Sequence, residues 1–239
     1  MCGRGGLDYR WETVWEWLDL AGGPPDGGVT RRNVAPGRRT ADGQQLVRLP
    51  VVRPVDGQRG ISELAWPLIP PWKHGRIPKF STANCRSEPD RPFSEVVAGK
   101  PAFRHAWQRG QRCLVPMSWF YEWDKSQSPR APWRVFPVDD PLLVMAGLWD
   151  RSKPDDGDPI ESFTIVTTEP NALLRRIGHD RAPALLRPDR FDAWLTGSDA
   201  EAEAVLGPPP EGLLDAHRVT RRVNNPGYDE PDLLEEQAD

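Results

Sequence analysis

The chain has 239 residues with 31 Lys and Arg against 35 Asp and Glu, which gives a formal net charge of −4. Hydrophobic residues make up 38% of the chain, and counting its 21 Gly while leaving out its 3 Tyr gives about 46% apolar residues. This is the ordinary range of a globular protein and excludes disorder for most of the chain. No apolar stretch reaches the ~18 residues of a membrane span. The first twenty residues carry four acids instead of a basic leader. We therefore expect a soluble, cytoplasmic protein.

The net charge hides an uneven distribution. Residues 30–125 hold 17 basic and 8 acidic side chains, whereas residues 229–239 hold six acids and no base. The basic segment is either an ordinary solvated surface or a face that binds a polyanion. The acidic end is typical of a solvated, frayed tail. We therefore predict a domain over residues 1–228 and a tail over residues 229–239.

Hydrophobic periodicity predicts short elements joined by many turns, in keeping with 21 Gly and 27 Pro. A first helix is predicted over residues 8–20. Strands are predicted at 45–52, 61–69, 112–116, 119–123, 133–138, 142–149 and 162–168, and further helices at 171–177 and 188–195. The expected fold is α+β, a single β-rich domain whose twisted antiparallel sheet is barrel-like and carries a few flanking helices.

The three cysteines, Cys2, Cys85 and Cys113, are too few and too widely spaced for a disulfide framework or a zinc site. We expect no metal and no cofactor. Removal of Met1 would give Cys2 a free α-amine beside its thiol, and such a 1,2-aminothiol condenses with an aldehyde to a thiazolidine. Two alternatives stay open: an N-terminal nucleophile that attacks amides, and a cysteine that is merely a small second residue.

Three polar motifs could supply further chemistry. Asn84 and Arg86 share a polar turn, where Arg86 could bind phosphate or simply pair with a neighbouring acid. Glu122 shares a predicted strand face with Phe120, which suits an acid–base group, although an edge-strand Glu facing water is equally consistent. His179 is followed directly by an acid and a base, Asp180 and Arg181, which could hold its tautomer or stabilise its charged form. The remaining histidines have no such neighbours and are expected to be surface or packing residues: His74, His105 and His217.

Trp66 and Trp72 bracket a proline-rich segment that leads into several basic residues. Aromatic side chains interleaved with basic side chains suit single-stranded nucleic acid, because nucleobases stack on the aromatic rings and phosphates pair with the basic groups. A tryptophan between prolines can equally be a packing plug. We assign both residues to a nucleic-acid face and leave most other tryptophans to the core.

In order along the chain, these motifs closely resemble the SOS-response-associated peptidase (SRAP) family, whose members crosslink to abasic sites in single-stranded DNA. The matching motifs are MCGR at 1–4, NVAPG at 33–37, WPLIPPW at 66–72, NCRSE at 84–88, RCLVP at 112–116, FYEW at 120–123, MAGLW at 145–149, FTIVTT at 163–168 and HDRAP at 179–183. The ordered set is more specific than any one motif.

The resemblance implies a covalent thiazolidine between DNA and Cys2, with autoproteolytic loss of Met1 and reversal of the crosslink as further activities. The implied catalytic residues are Cys2, Asn84, Glu122 and His179. The implied DNA contacts are Arg4, Pro36, Arg86 and Thr167, to which pattern, charge and position add Trp66, Trp72, Lys100 and Arg104. The expected partner is single-stranded DNA with abasic sites, bound by a monomer associated with the nucleoid, and no membrane partner is expected.

The sequence departs from the family pattern at three places. Pro67 and Trp119 stand where the family usually has Gly, and Arg32 stands where an aromatic residue is frequent. Two other functions stay open. One is an amidohydrolase with an N-terminal cysteine, such as a glutaminase, and the other is a non-catalytic module that binds single-stranded DNA.

Overall fold

A computed structural model describes residues 3–237, in which fourteen strands and six α-helices alternate with short 3-10 turns. The strands are β1 (Gly5–Arg10), β2 (Gly28–Val34), β3 (Arg38–Thr40), β4 (Gly43–Gln45), β5 (Val47–Val55), β6 (Gln58–Trp66), β7 (Asn84–Arg86), β8 (Arg112–Met117), β9 (Trp119–Trp123), β10 (Pro132–Pro137), β11 (Leu143–Ser152), β12 (Ile160–Thr168), β13 (Ala182–Pro183) and β14 (Leu214–Arg218). The helices are α1 (Trp11–Leu18), α2 (Phe93–Ala98), α3 (Pro101–Gln108), α4 (Ala172–Arg176), α5 (Phe191–Leu195) and α6 (Asp199–Ala204). Within the described range, no helix combines the length and the apolarity needed to cross a membrane.

Two large sheets and the two-stranded β3-β4 sheet build the described part of the β-rich domain, and the expected fold class is confirmed. One sheet has the strand order β14-β10-β9-β1-β2 and is antiparallel throughout. In the other, the order β11-β8-β5-β6-β12 closes into a five-stranded barrel, because β12 also pairs with β11. The short strands β7 and β13 attach to β12, and β7 runs parallel to it.

All seven predicted strands are present, with ends that differ by a few residues. The predicted strand at 61–69 ends earlier, at Trp66, because Pro67 has no N–H to donate to a ladder. The first helix begins at Trp11 instead of residue 8, since the preceding residues continue an alternation of buried and exposed side chains and form β1. The helices α2, α3 and α6 were not predicted, and each has only six or eight residues.

The main hydrophobic core fills the barrel, and Trp66 belongs to it. Its side chain is fully buried, stacks on Phe163 with the ring centroids 6.1 Å apart, and donates from Nε1 to the Ala83 carbonyl at 3.0 Å. The prediction that Trp66 stacks on DNA bases is therefore wrong. The packing-plug alternative is correct for this residue.

A second, smaller cluster lies on the other face of β9 and explains one departure from the family pattern. Trp119 packs there with Tyr121, Val223 and Leu233. Its indole lies directly over Gly6 of β1, where a Cβ atom would collide with the ring. Trp119 therefore fills this cluster, and Gly6, which has no side chain, leaves the space that the indole occupies.

The acidic C-terminal segment is packed against the domain as far as residue 237, so the prediction of a frayed tail is wrong for residues 229–237. A 3-10 turn at Pro231–Leu234 buries Leu233 completely. The Asp229 carboxylate accepts from the Asn33 N–H at 2.7 Å, and the Gln237 N–H donates to the Arg218 carbonyl at 2.9 Å. Charge alone predicted a tail, but two leucines and these partners order it.

Candidate active site

Glu122 and His179, which are far apart in sequence, form a buried carboxylate–imidazole pair. His179 Nε2 lies 2.8 Å from Glu122 Oε2, and the two side chains are only 2% and 3% exposed. The alternative of an edge-strand Glu122 facing water is thereby excluded. A buried carboxylate and imidazole in direct contact form a proton-transfer pair.

Strand β9 places Glu122 by simple alternation. Phe120 packs into the main core, whereas Trp119 and Tyr121 belong to the second cluster on the opposite face. Glu122 follows Phe120 by two residues and therefore lies on the main-core face, as the period of a strand predicts. The strand β10 holds this position, because Trp133 pairs with Glu122.

The loop after α4 places His179 and fixes its ring. The His179 N–H donates to the Leu174 carbonyl at 2.9 Å, and its Nδ1 lies 2.8 Å from the carbonyl oxygen of Arg181. The Arg181 N–H also points at Nδ1, but at the longer distance of 3.4 Å, so the carbonyl contact sets the assignment. A carbonyl only accepts, so Nδ1 carries a proton and donates. Nε2 therefore faces Glu122. One further proton must lie between Nε2 and the Glu122 carboxylate, since otherwise the lone pair of Nε2 would face a carboxylate oxygen. The pair thus holds one transferable proton.

Arg181 was not predicted as a site residue, yet it anchors this loop. The guanidinium is buried, and its Nη2 donates to the carbonyls of Ser87 and Thr167 at 2.6 Å each. Burial lowers its pKa without removing its charge. Arg181 thereby connects the His179 loop to β7 and β12. The HDRAP motif contains this arginine, but nothing in the sequence shows that the side chain turns inward.

A glycine is required beside this loop. Gly178 has a φ of +77°, and a Cβ there would collide with Oδ1 of Asp124. We expect Gly178→Ala to lower the free energy of unfolding by about 2 kcal/mol or more, from backbone strain and the collision together. Urea denaturation measures this change. Gly157→Ala is the matched control, because Gly157 also has a positive φ (+95°) but faces open space. An equal effect of both substitutions would show that the collision contributes nothing.

Strand β7 carries Asn84 and Arg86 alongside β12. Asn84 pairs with Ile165 and Arg86 with Thr167 in a parallel register. The buried Oδ1 of Asn84 has no hydrogen-bond partner within residues 3–237, so it can accept from a ligand. Cys85 between them is completely buried, and burial raises the pKa of its thiol to about 12. Cys85 is therefore inert as a nucleophile.

The N-terminal strand leads toward Glu122. Gly5 pairs with Phe120, and the Arg4 carbonyl accepts from the Tyr121 N–H at 2.9 Å. Continuing this antiparallel register sets Gly3 nearest to Glu122. Met1 and Cys2 lie outside the described residues.

The guanidinium of Arg4 already has internal partners. It donates to Asn33 Oδ1 at 2.9 Å and to the Val223 carbonyl. Burial lowers its pKa. These bonds give Arg4 a structural role, because they connect it to Asn33 and to the backbone at Val223. A contact between Arg4 and DNA stays a prediction.

The other predicted DNA contacts differ in accessibility. Thr167 is fully buried, and its Oγ1 has no hydrogen-bond partner in the described part of the chain. Lys100 donates from Nζ to the Arg86 carbonyl at 2.6 Å, and desolvation lowers its pKa. Pro36 lines a hollow with Arg38. All of these assignments, with Arg86, stay predictions.

Trp72 is the accessible tryptophan of the proline-rich segment. Its side chain is 46% exposed and stacks on Phe80, which is 50% exposed, with centroids 6.3 Å apart and planes inclined by 24°. The Lys73 ammonium lies 4.7 Å from the centroid of the Trp72 ring. Phe80 was missed in the sequence because a single phenylalanine in a polar loop carries no periodic signal.

Comparisons with known proteins agree on one family. The sequence model described as SOS response associated peptidase (SRAP) matches residues 1–226. The chain is 28% identical over 239 residues to the abasic site processing protein YoqW of Bacillus subtilis, covering 98% of this chain and 99% of that protein. It is 30% identical over 222 residues to the abasic site processing protein HMCES of Pongo abelii, covering 79% of this chain and 60% of that protein. A crystal structure of a Bordetella bronchiseptica protein matches with a TM-score of 0.72 at 26% identity, over 92% of this chain and all of that one.

Proposed function

Because the chain belongs to the SOS response associated peptidase family, we propose that it processes abasic sites in single-stranded DNA by a covalent crosslink through Cys2, exposed by loss of Met1. The observation that carries this proposal is the buried Glu122–His179 pair at the end of β9. The neighbouring strand β1 leads the N-terminus toward that pair. The relatives named as abasic site processing proteins support the substrate.

The chemistry balances without an external reagent. The abasic deoxyribose opens from its hemiacetal to an aldehyde, and the Cys2 amine adds to the aldehyde carbon. Loss of one water gives an imine. The Cys2 thiol then adds to the imine carbon while the nitrogen takes up a proton, which closes the five-membered thiazolidine. Closure removes the imine that would otherwise promote strand cleavage by β-elimination, so the product protects the DNA.

The site residues fit these steps as proton donors and acceptors. Glu122 moves the proton during ring opening and imine formation, and His179 supplies the proton at the sugar oxygen. Asn84 Oδ1 accepts from the Cys2 nitrogen and so orients it. Since acid and base exchange roles when a reaction runs backwards, the same pair serves crosslink reversal. The Cys2 thiol also serves as the nucleophile for autoproteolytic loss of Met1.

The surface beside β7 fits single-stranded DNA. Arg86 and Lys100 supply charge for flanking phosphates, and Trp72 with Phe80 offers aromatic faces on which bases stack. A basic segment within an acidic chain is consistent with this binding, because the acids concentrate toward the C-terminus.

Intact-mass spectrometry of the wild-type protein, with and without an abasic oligonucleotide, tests the proposal. The protein alone should lack the mass of Met1. With abasic DNA it should gain the oligonucleotide mass less one water, whereas an undamaged oligonucleotide should give no adduct. Absence of the adduct from Met1-free protein would refute the proposal. Ammonia release from glutamine by the same sample would instead support an amidohydrolase.

A further inference from the structure

His105 has a buried partner that the sequence did not indicate. Its Nδ1 lies 3.1 and 3.0 Å from the two carboxylate oxygens of Asp150, which is only 1% exposed. The sequence predicted only a surface or packing residue at this position. The half-exposed ring instead lines a cleft of about 540 Å³ together with Pro71, Trp72, Pro101, Arg104 and Gln108.

The carboxylate determines what His105 can offer to that cleft. Burial raises the pKa of Asp150, and the Arg151 N–H and His105 act in the opposite direction. With Nδ1–H donating to Asp150, the other ring nitrogen is directed away from the carboxylate. When the imidazole is protonated, Nε2–H becomes a charged donor. A carboxylate that fixes a histidine ring in this way is the usual means of orienting its second nitrogen toward a ligand.

The charges around the cleft favour an anion. Arg104 contributes a guanidinium to the lining, Lys73 lies over the Trp72 ring, and Arg109 acts on Asp150 from the end of α3. None of the residues that line the cleft within the described range is acidic. By contrast, a second large hollow, next to Ser87, is lined by one arginine, Arg91, and four acids: Glu88, Asp90, Glu169 and Glu203.

The cleft lies close to the candidate active site. Lys100, just before α3, donates to the Arg86 carbonyl, and Trp72 Nε1 lies 3.5 Å from the carbonyl oxygen of Pro101. Arg104 is about one helical turn, or ~5 Å, further along the helix axis than Lys100. A DNA strand that passes Arg86 and Lys100 therefore reaches the cleft next.

We propose that Arg104 and His105, the latter oriented by Asp150, bind a backbone phosphate of a nucleotide flanking the abasic site, while its base stacks on Trp72. This inference rests on the proposed function only in taking single-stranded DNA as the ligand. Arg104 and His105 contact the phosphate directly. Asp150 is a positioning residue, because it acts through His105.

The test measures the affinity of the full chain for undamaged oligothymidine, by fluorescence anisotropy over a range of salt concentrations at about pH 6, where histidine side chains carry charge. We expect His105→Ala to weaken binding about 3- to 10-fold at low salt and to lower the slope of log K against log salt by about 0.7, the contribution of one phosphate contact. Arg104→Ala should weaken binding and lower the salt slope to a similar extent. Arg190→Ala is the control, because Arg190 is an exposed arginine that does not line the cleft.

Asp150 is tested through its partner. Asp150→Asn should weaken binding in the wild-type background but add nothing to His105→Ala, since it acts only through the ring. His105→Lys, which keeps a positive charge, should retain most of the salt slope. Unchanged affinity and slope for His105→Ala and Arg104→Ala would overturn the inference. If Asp150→Asn fails to fold, the affinity and salt slope of His105→Ala decide the test, because His105 is exposed.

These outcomes are separate from the crosslinking reaction. At abasic DNA concentrations below saturation, His105→Ala should slow crosslinking by the same factor by which it weakens binding, because the residue binds DNA and does not contact the reacting atoms. A wild-type protein that binds oligothymidine but forms no crosslink would refute the proposed function and leave the phosphate subsite standing. A wild-type protein that forms the crosslink, together with cleft variants that bind oligothymidine as tightly as the wild type, would support the proposed function and refute the phosphate subsite.

Discussion

Cys2→Ala is expected to abolish the heat-stable crosslink to abasic single-stranded DNA completely. This variant cannot remove Met1 with its own thiol, but alanine is small enough for a cellular methionine aminopeptidase to remove it. Intact mass identifies the Met1-free variant, which keeps the α-amine and loses only the thiol. An imine can still form, but no thiazolidine can close. Denaturing gel electrophoresis after heating measures the loss, and anisotropy with undamaged DNA should show unchanged affinity.

The imine gives this prediction a second readout. Borohydride reduction should trap a covalent adduct from Cys2→Ala, because a reduced imine no longer hydrolyses. Without borohydride the variant should cleave the abasic strand more than the wild type does, since β-elimination proceeds from the uncaptured imine.

Cys85→Ala is the control for the specificity of the thiol. Cys85 is buried, and the pKa of its thiol is raised to about 12, so its removal should leave crosslinking intact. A stable crosslink formed by Cys2→Ala would show that another nucleophile reacts. If the wild type and Cys2→Ala bind DNA equally and neither forms a crosslink, the result would instead favour the non-catalytic binding module.

The sequence predicts the site where the signal is local. Period-2 alternation along 119–123 assigns Glu122 to the face of Phe120, and the structure confirms that face. Seven of the fourteen described strands were also predicted, because short β-branched and aromatic runs bounded by Gly and Pro are a local signal.

The sequence fails where long-range packing decides between equivalent local patterns. Trp66 and Trp72 both adjoin prolines, yet Trp66 lies under Phe163 in the barrel and Trp72 lies at the surface. His105 and Asp150 are 45 positions apart, and only the packing of α3 on β11 brings them together. The inward turn of Arg181 likewise depends on two carbonyl acceptors that are distant in sequence, Ser87 just after β7 and Thr167 in β12.

The acidic end shows the same limit in another form. Charge density predicts a solvated segment, and residues 229–237 are indeed acidic. However, Leu233 is a buried anchor, and Asn33 donates from its side-chain amide to the carbonyls of Val223, Asn225 and Tyr228. A few specific partners therefore outweigh the average charge of a segment.

Glu122→Gln is expected to slow crosslink formation about 10²- to 10⁴-fold without weakening the binding of undamaged DNA. The amide preserves the shape of the side chain and can donate a hydrogen bond to His179 Nε2, whose ring stays fixed by the Arg181 carbonyl. What the substitution removes is the proton shared by the pair. The loss should therefore fall on the rate at saturating DNA.

Single-turnover kinetics with excess protein measures this rate. Glu88→Gln is the matched control, because Glu88 is a 42% exposed carboxylate that lies 3.8 Å from Arg181 without contacting the proton-transfer pair. Its rate should stay near that of the wild type. A rate for Glu122→Gln within about threefold of wild type would exclude the pair from proton transfer.

The pair should also behave as a unit. If Glu122 and His179 share one proton, removing either one disables the same step, so His179→Asn should add little to Glu122→Gln. Two independent roles would instead give rate losses that multiply. Crosslink reversal, followed by release of the oligonucleotide from purified adduct, should show the same non-additivity, because the proton that closes the ring is the one that must return when it opens.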